Sequence, residues 1–228
     1  PQTLWLEPRQ AMTLVSTSIV RDMWVERCGL FRAFDFADVC DSGWTGGMMV
    51  AWPLARAGRE LGDARLVEIA VAAADRLCDE GFHEEAQLFW DTWLPDEGWS
   101  ANAWWSPRQP DSHIAYTSGQ SALMLLRMWE DLPEGEREAH LQWVERARQV
   151  VEHGLSHQRD DGAIPAYYHR DSGAPHPREG FAGCWIAAAA AKLAGVTGEA
   201  RFREGADRAL GFYHRWARTL EVWGTPVD

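Results

Sequence analysis

Apolar residues recur at helical spacing in paired stretches along the chain. One stretch carries Met48, Met49, Trp52, Leu54 and Ala55; a second carries Leu123, Met124, Leu126, Met128 and Trp129; a third carries Ile186, Ala187, Ala190, Leu193 and Ala194. Their i, i+3, i+4 spacing predicts one buried helical face each. A glycine and an acidic residue with arginine close behind follow each stretch: Gly62-Asp63-Ala64-Arg65, Gly135-Glu136-Arg137 and Gly198-Glu199-Ala200-Arg201. A second amphipathic stretch then runs to about Leu77, Val151 and Tyr213. Each glycine suits the left-handed residue that ends a helix. Each acid suits the positive N-terminal end of the next helix. Small-residue clusters (Thr45-Gly46-Gly47, Thr117-Ser118-Gly119, Phe181-Ala182-Gly183) precede the first helix of each pair and are expected to let helices approach closely.

The repeating unit is thus helix, tight turn, helix, long loop, with a period of 63 to 73 residues between the glycines. Hairpin units are expected at about 44–81, 115–156 and 182–220, in a single domain over 1–228. A lone helix at about 9–27, with Met12, Val15, Ile19, Met23 and Trp24, precedes them. No convincing strands are predicted, although pieces such as Ala166-Tyr167-Tyr168 suit small hairpins within loops. The fold class is all-α: stacked helical hairpins forming a toroid or part of one.

Composition narrows the function classes. The net charge is −12, from 22 Lys+Arg against 34 Asp+Glu. That sign repels nucleic acid and anionic membranes. No membrane span, phosphate loop, dinucleotide fingerprint or serine-nucleophile elbow is present. Lys192 is the only lysine. The four cysteines form no CxxC pair, so buried reduced thiols are expected. His153 and His157 have ligand spacing without an indicated third ligand, so no metal and no cofactor are expected. Residues 1–25 lack a secretory pattern, and a cytoplasmic setting is expected. The chain opens at Pro1 without Met, as a processed chain or an excerpt does.

The unusual residues lie in the loops. Tryptophan is present 14 times, about five times an ordinary share. Five of these fall between Trp90 and Trp105, namely Trp90, Trp93, Trp99, Trp104 and Trp105. The loops from 28–43, 81–112 and 157–180 all follow the second helix of a unit and so share one rim. They repeat an acid beside a glycine: Asp41-Ser42-Gly43-Trp44, Asp96-Glu97-Gly98-Trp99 and Asp161-Gly162. Aromatic faces that stack on pyranose rings, beside carboxylates that serve as acid and base, are what glycosidic chemistry needs.

The candidate catalytic carboxylates are Asp161, Glu179 and Asp91. Asp161 beside Gly162 equally suits an Asx turn, and Glu179 equally suits the start of a helix. Asp91 between Trp90 and Trp93 gains a raised pKa if the rings exclude water. Candidate substrate-binding residues are Trp44, Trp90, Trp93, Trp99, Trp104, Tyr167, Tyr168, His169, Arg178 and Asp41. Arg108, Arg170 and Arg178 suit an acidic sugar, because guanidinium pairs bidentately with carboxylate.

The Gly-acid turns, the small-residue helix starts and Gln158-Arg159-Asp160-Asp161-Gly162 resemble the six-hairpin, (α/α)6-toroid glycosidase superfamily. The stretch from His157 to Val196 resembles a segment of unsaturated glucuronyl hydrolases. Phe89-Trp90-Asp91 resembles the Trp-x-Asp around that group's catalytic aspartate. The resemblance implies a carbohydrate substrate and a glycoside hydrolase acting on an oligosaccharide or uronate-containing glycan. Sugar epimerases, isomerases and polysaccharide lyases use similar toroids, and a non-catalytic module binding glycan or protein is a further reading. Three and a half hairpins are short of six, which suits a homo-oligomer or the remaining half of the ring in a longer chain.

Overall fold

A computed structural model describes residues 6–33, 39–43, 46–101, 112–177 and 180–218. Seven α-helices occur among them: α1 (Pro8–Met23), α2 (Gly47–Leu61), α3 (Ala64–Glu80), α4 (Ala115–Asp131), α5 (Leu141–Ser156), α6 (Cys184–Thr197) and α7 (Ala200–Arg218). The hairpins are α2–α3, α4–α5 and α6–α7. The first helices of the hairpins, α2, α4 and α6, stand side by side as an inner layer. Helix α4 lies at its centre and is buried along most of its length, from Ala115 to Leu126 and at Met128. Helix α1 packs against α2.

Two of the three turns form as their glycines predict. Gly62 (φ 74°) and Gly198 (φ 75°) are left-handed and end α2 and α6. The middle turn differs. Helix α4 ends at Leu132, held extended at ψ 145°, and a 3-10 segment over Glu134–His140 contains Gly135. Pro133 is the cause: its ring disfavours helical geometry in the preceding residue, so the chain turns before the glycine. The first helix also stops short of the expected Arg27. Trp24–Val25 (β1) leaves it to pair with Leu30–Phe31 (β2) around Gly29.

The acidic residues after the glycines take different partners. Asp63 caps α3 by accepting the Arg65 N–H at 3.1 Å. Asp63→Ala should lower stability by about 1 kcal/mol, while Asp63→Asn should retain most of it. Urea unfolding of the two variants checks this; equal losses would mean that the cap contributes nothing. Glu199 instead pairs with Arg148 of α5 at 2.7 Å and with Arg201 at 3.0 Å, tying neighbouring hairpins at their surface.

The core is one continuous cluster through all three hairpins. Trp143 of α5 is buried and donates its indole N–H to Asp75 of α3 at 2.7 Å. That bond lets a large ring enter the core without an unsatisfied donor. Helix α6 packs on α4, and Gly119 of α4 allows the close approach, because a Cβ there would overlap the Trp185–Ile186 main chain.

The loops contain strands that local pattern does not show. Besides β1 and β2 these are β3 (Cys40–Asp41), β4 (Phe82–His83), β5 (Leu88–Phe89), β6 (Thr92–Leu94), β7 (Gly98–Ser100), β8 (Ser112–Ile114) and β9 (Tyr167–His169). The Tyr167 piece forms the small hairpin expected within its loop, Tyr168 bridging Pro175, and also pairs with β8, far away in sequence. Strands β3, β6 and β7 form one antiparallel sheet.

Candidate active site at the start of helix α4

The two sheets join the three loops into one rim. Loop one meets loop two where β3 pairs with β6, Cys40 opposite Trp93 and Asp41 opposite Thr92. Loop two meets loop three where β8 pairs with β9, His113 opposite Tyr168. Side chains alternate across a strand. Cys40, Trp93 and Trp99 therefore share one face of the first sheet, and Asp41, Thr92 and Ser100 the other.

Asp91 lies just before β6 and is fully buried. Its main chain is pinned on both sides. Its N–H donates to the Ser100 carbonyl at 3.1 Å, and its carbonyl accepts from the Ser42 N–H at 3.1 Å. Its Oδ1 accepts the Ile114 N–H at 3.4 Å, at the entrance to α4. Asp41 is also fully buried. Gly43 explains how loop one comes so close: a Cβ there would overlap the Thr117 carbonyl of α4. The site is thus Asp91, Asp41 and the buried polar start of α4 (Thr117, Ser118, Gln120 and Ser121).

Burial holds the Asp91 carboxyl well above the ordinary carboxylate range, and the nearby Asp41 charge adds to the rise. The Thr117 hydroxyl and the Ile114 N–H oppose it only partly. Asp91 is consequently a buried carboxyl, held in fixed geometry, whose protonated form burial favours. Gln120 Oε1 and Ser121 Oγ make no hydrogen bond among the described residues.

Histidines flank this centre. His83 stacks on Trp90 with ring centroids 4.1 Å apart, and its Nδ1 lies 3.1 Å from Nε2 of His113. His113 Nδ1 donates to the Phe89 carbonyl at 3.2 Å. Burial pushes the pKa of His113 down to about 3, so the ring is neutral. Burial also lowers that of His83. This pair had no signal in the sequence, because its members stand 30 positions apart.

The other candidates are placed as follows. Trp90 is half-buried against His83 and His113. Trp93 and Trp99 face one another across β6–β7, are half-buried, and pack on Val25, Cys28, Leu30 and Cys40. Tyr168 is fully buried beside His153, with its hydroxyl pKa raised by burial, and Tyr167 is buried too. His169 is exposed and lies near His176. Asp161 is exposed; it accepts the Ala163 N–H at 3.0 Å and pairs with Arg159 at 2.6 Å, while its carbonyl accepts from Arg215. The structure gives Asp161 these turn contacts and does not bring it to Asp91. Trp44, Trp104, Arg108, Arg178 and Glu179 lie outside the described residues. Among those described, no cluster of His, Cys, Asp or Glu suits a metal ion, and no helix is long and apolar enough to cross a membrane.

No family model and no curated protein matches the sequence. Solved structures do match. A protein from Salmonella enterica, titled a possible member of the GH105 family, superposes with a TM-score of 0.68 at 18% identity, over 90% of this chain and 52% of its own. An unsaturated glucuronyl hydrolase specific for heparin gives 0.65 at 14%, over 89% and 53%. The cellobiose 2-epimerase of Spirochaeta thermophila gives 0.61 at 18%, over 92% and 55%. The chain spans about half the length of these proteins. With side-by-side inner helices and rim loops, the described residues share the (α/α)-toroid fold of these structures, as an arc of seven helices.

Proposed function

We propose that the chain carries the site of a glycoside hydrolase acting on an oligosaccharide or uronate-containing glycan. The observation that carries this reading is the fully buried Asp91, its pKa raised by burial, with Asp41 on the strand that pairs with β6 directly after it. Two carboxyl groups in one dry site cannot both ionise, so one keeps a proton while the other is a base. Asp91 protonates the leaving oxygen; the second carboxylate activates water or attacks the sugar. Asp41 takes the second role in this reading, with Glu179 and Asp161 as the other rim carboxylates to be tested in it. Trp90 offers a ring for stacking, and the Gln120 and Ser121 oxygens suit sugar hydroxyls. Likeness to glycoside hydrolases supports this at the level of fold.

The test is mass spectrometry of neutral and uronate-bearing oligosaccharides after incubation with the protein. Products carrying one added water per cleaved linkage are expected. Unsaturated products without added water would replace the hydrolase reading with a lyase.

The His83–His113 pair favours one second reading, a sugar epimerase or isomerase. A neutral imidazole can take a proton from a carbon beside a carbonyl, and its neighbour can accept it onward. Deuterium incorporation from solvent at one sugar carbon, without cleavage, would select that reading.

A further inference from the structure

Four cysteines are present, none of them in a disulfide, and two of them meet. Cys28 and Cys40 are 12 positions apart, yet their sulfurs lie 3.5 Å from one another. The fold makes the meeting: Cys28 sits in the turn between β1 and β2, and Cys40 begins β3, bridged to Arg32 directly after β2. The Ala33 N–H donates to the Val39 carbonyl at 2.8 Å and fixes the register. Both sulfurs lie in the small cluster of Val25 and Leu30, under the rings of Trp93 and Trp99.

We propose that Cys28 and Cys40 form a reversible redox dithiol that closes to an intrachain disulfide under peroxide. The sulfurs must close from 3.5 Å to about 2.05 Å, which side-chain rotation in a dithiol already in contact supplies. The nucleophile is Cys28. Its pKa is drawn down to about 7 by the hydrogen bond with Cys40, whereas burial raises that of Cys184 to about 11 and that of Cys78 well above its ordinary value. The Cys28 thiolate attacks one peroxide oxygen and the O–O bond breaks; the departing hydroxide takes a proton and leaves as water, and Cys28 becomes a sulfenic acid. The Cys40 sulfur then attacks Cys28, the S–O bond breaks, and the hydroxide lost takes the Cys40 proton as a second water. Two thiols are oxidised, and one hydrogen peroxide is reduced to two waters. The bond ties the β1–β2 hairpin to the strand whose next residue is Asp41, so oxidation acts beside the candidate site.

The protein is treated with hydrogen peroxide, quenched with catalase, unfolded and alkylated with iodoacetamide. Two alkylated cysteines are expected in place of four, with tryptic peptides 28–32 and 33–56 joined through sulfur and separated by dithiothreitol. In Cys40→Ser, Cys28 should accumulate as a sulfenic acid that dimedone traps. Four alkylated cysteines after peroxide, or Cys28 driven to the sulfinic acid with the Cys40 thiol intact in the unsubstituted protein, would overturn the proposal. Oxidation of Cys78 or Cys184 in preference to Cys28 would overturn it as well.

Discussion

Asp91→Asn is expected to lower turnover of the glycan substrate by about 10²-fold or more, with substrate binding retained. Asparagine keeps the shape and the acceptor for the Ile114 N–H but has no proton to donate to a leaving oxygen. The same substitution has a second consequence, read from stability. The Asp91 carboxyl has a raised pKa in the folded protein. Below an unfolded value of about 3.9 both states are protonated, and the group contributes no pH dependence. As pH rises through the window between that value and the folded one, the unfolded chain ionises and the native protein does not. Stability therefore falls across the window, by about 1.4 kcal/mol for each pH unit that the window spans, and stays low above it. Asp91→Asn removes this loss, so the variant's gain on the wild type should be larger at neutral pH than at the unfolded value of about 3.9. Urea unfolding at the two pH values decides the point; parallel pH profiles would show that Asp91 is not desolvated. A stabilised yet inactive variant would separate a chemical role from a structural one.

Gly119→Ala should lower stability by about 2 kcal/mol net. A Cβ at Gly119 would stand 2.5 Å from the Ile186 nitrogen and 2.6 Å from the Trp185 carbonyl carbon. These are main-chain atoms, so no rotamer change relieves the contact and α4 must move away from α6. Overpacking of this kind costs up to about 3 kcal/mol or more, while the helix propensity of alanine returns only about 1. Gly195→Ala is the internal control. Gly195 lies in α6 with nothing within 4 Å of a Cβ, so the same substitution there should stabilise the protein by about 0.5–1 kcal/mol. Opposite shifts in the urea midpoint are the expected result. Two shifts of the same sign would contradict the close α4–α6 contact.

The hairpin plan was legible because its causes are local. A helix face announces itself every three or four residues, and Gly62 and Gly198 end helices by their own conformational freedom. Gly135 carries the same motif, but Pro133, two positions earlier, had already ended the helix. A motif loses to a stronger local constraint upstream of it.

The candidate site was legible only in its parts. Asp91 stood out among tryptophans, yet the sequence pattern ranked Asp161 ahead of it. Their environments separate them: Asp91 is sealed beneath β3 and α4, whereas Asp161 is an exposed turn residue paired with Arg159. Trp93 and Trp99 read as sugar platforms in the sequence; the β6–β7 register sets the two half-buried rings against the cluster of Cys28 and Cys40, a contact that no local pattern shows.

Sequence alone thus determined the helices, their pairing into hairpins and the gathering of aromatic and acidic residues on one rim, since periodicity and turn chemistry act within a few residues. Tertiary structure alone decided which carboxyls are buried, which histidines touch and which thiols meet. Burial and charge proximity arise from strand pairings between segments tens of residues apart, and those distances leave no local trace in the chain.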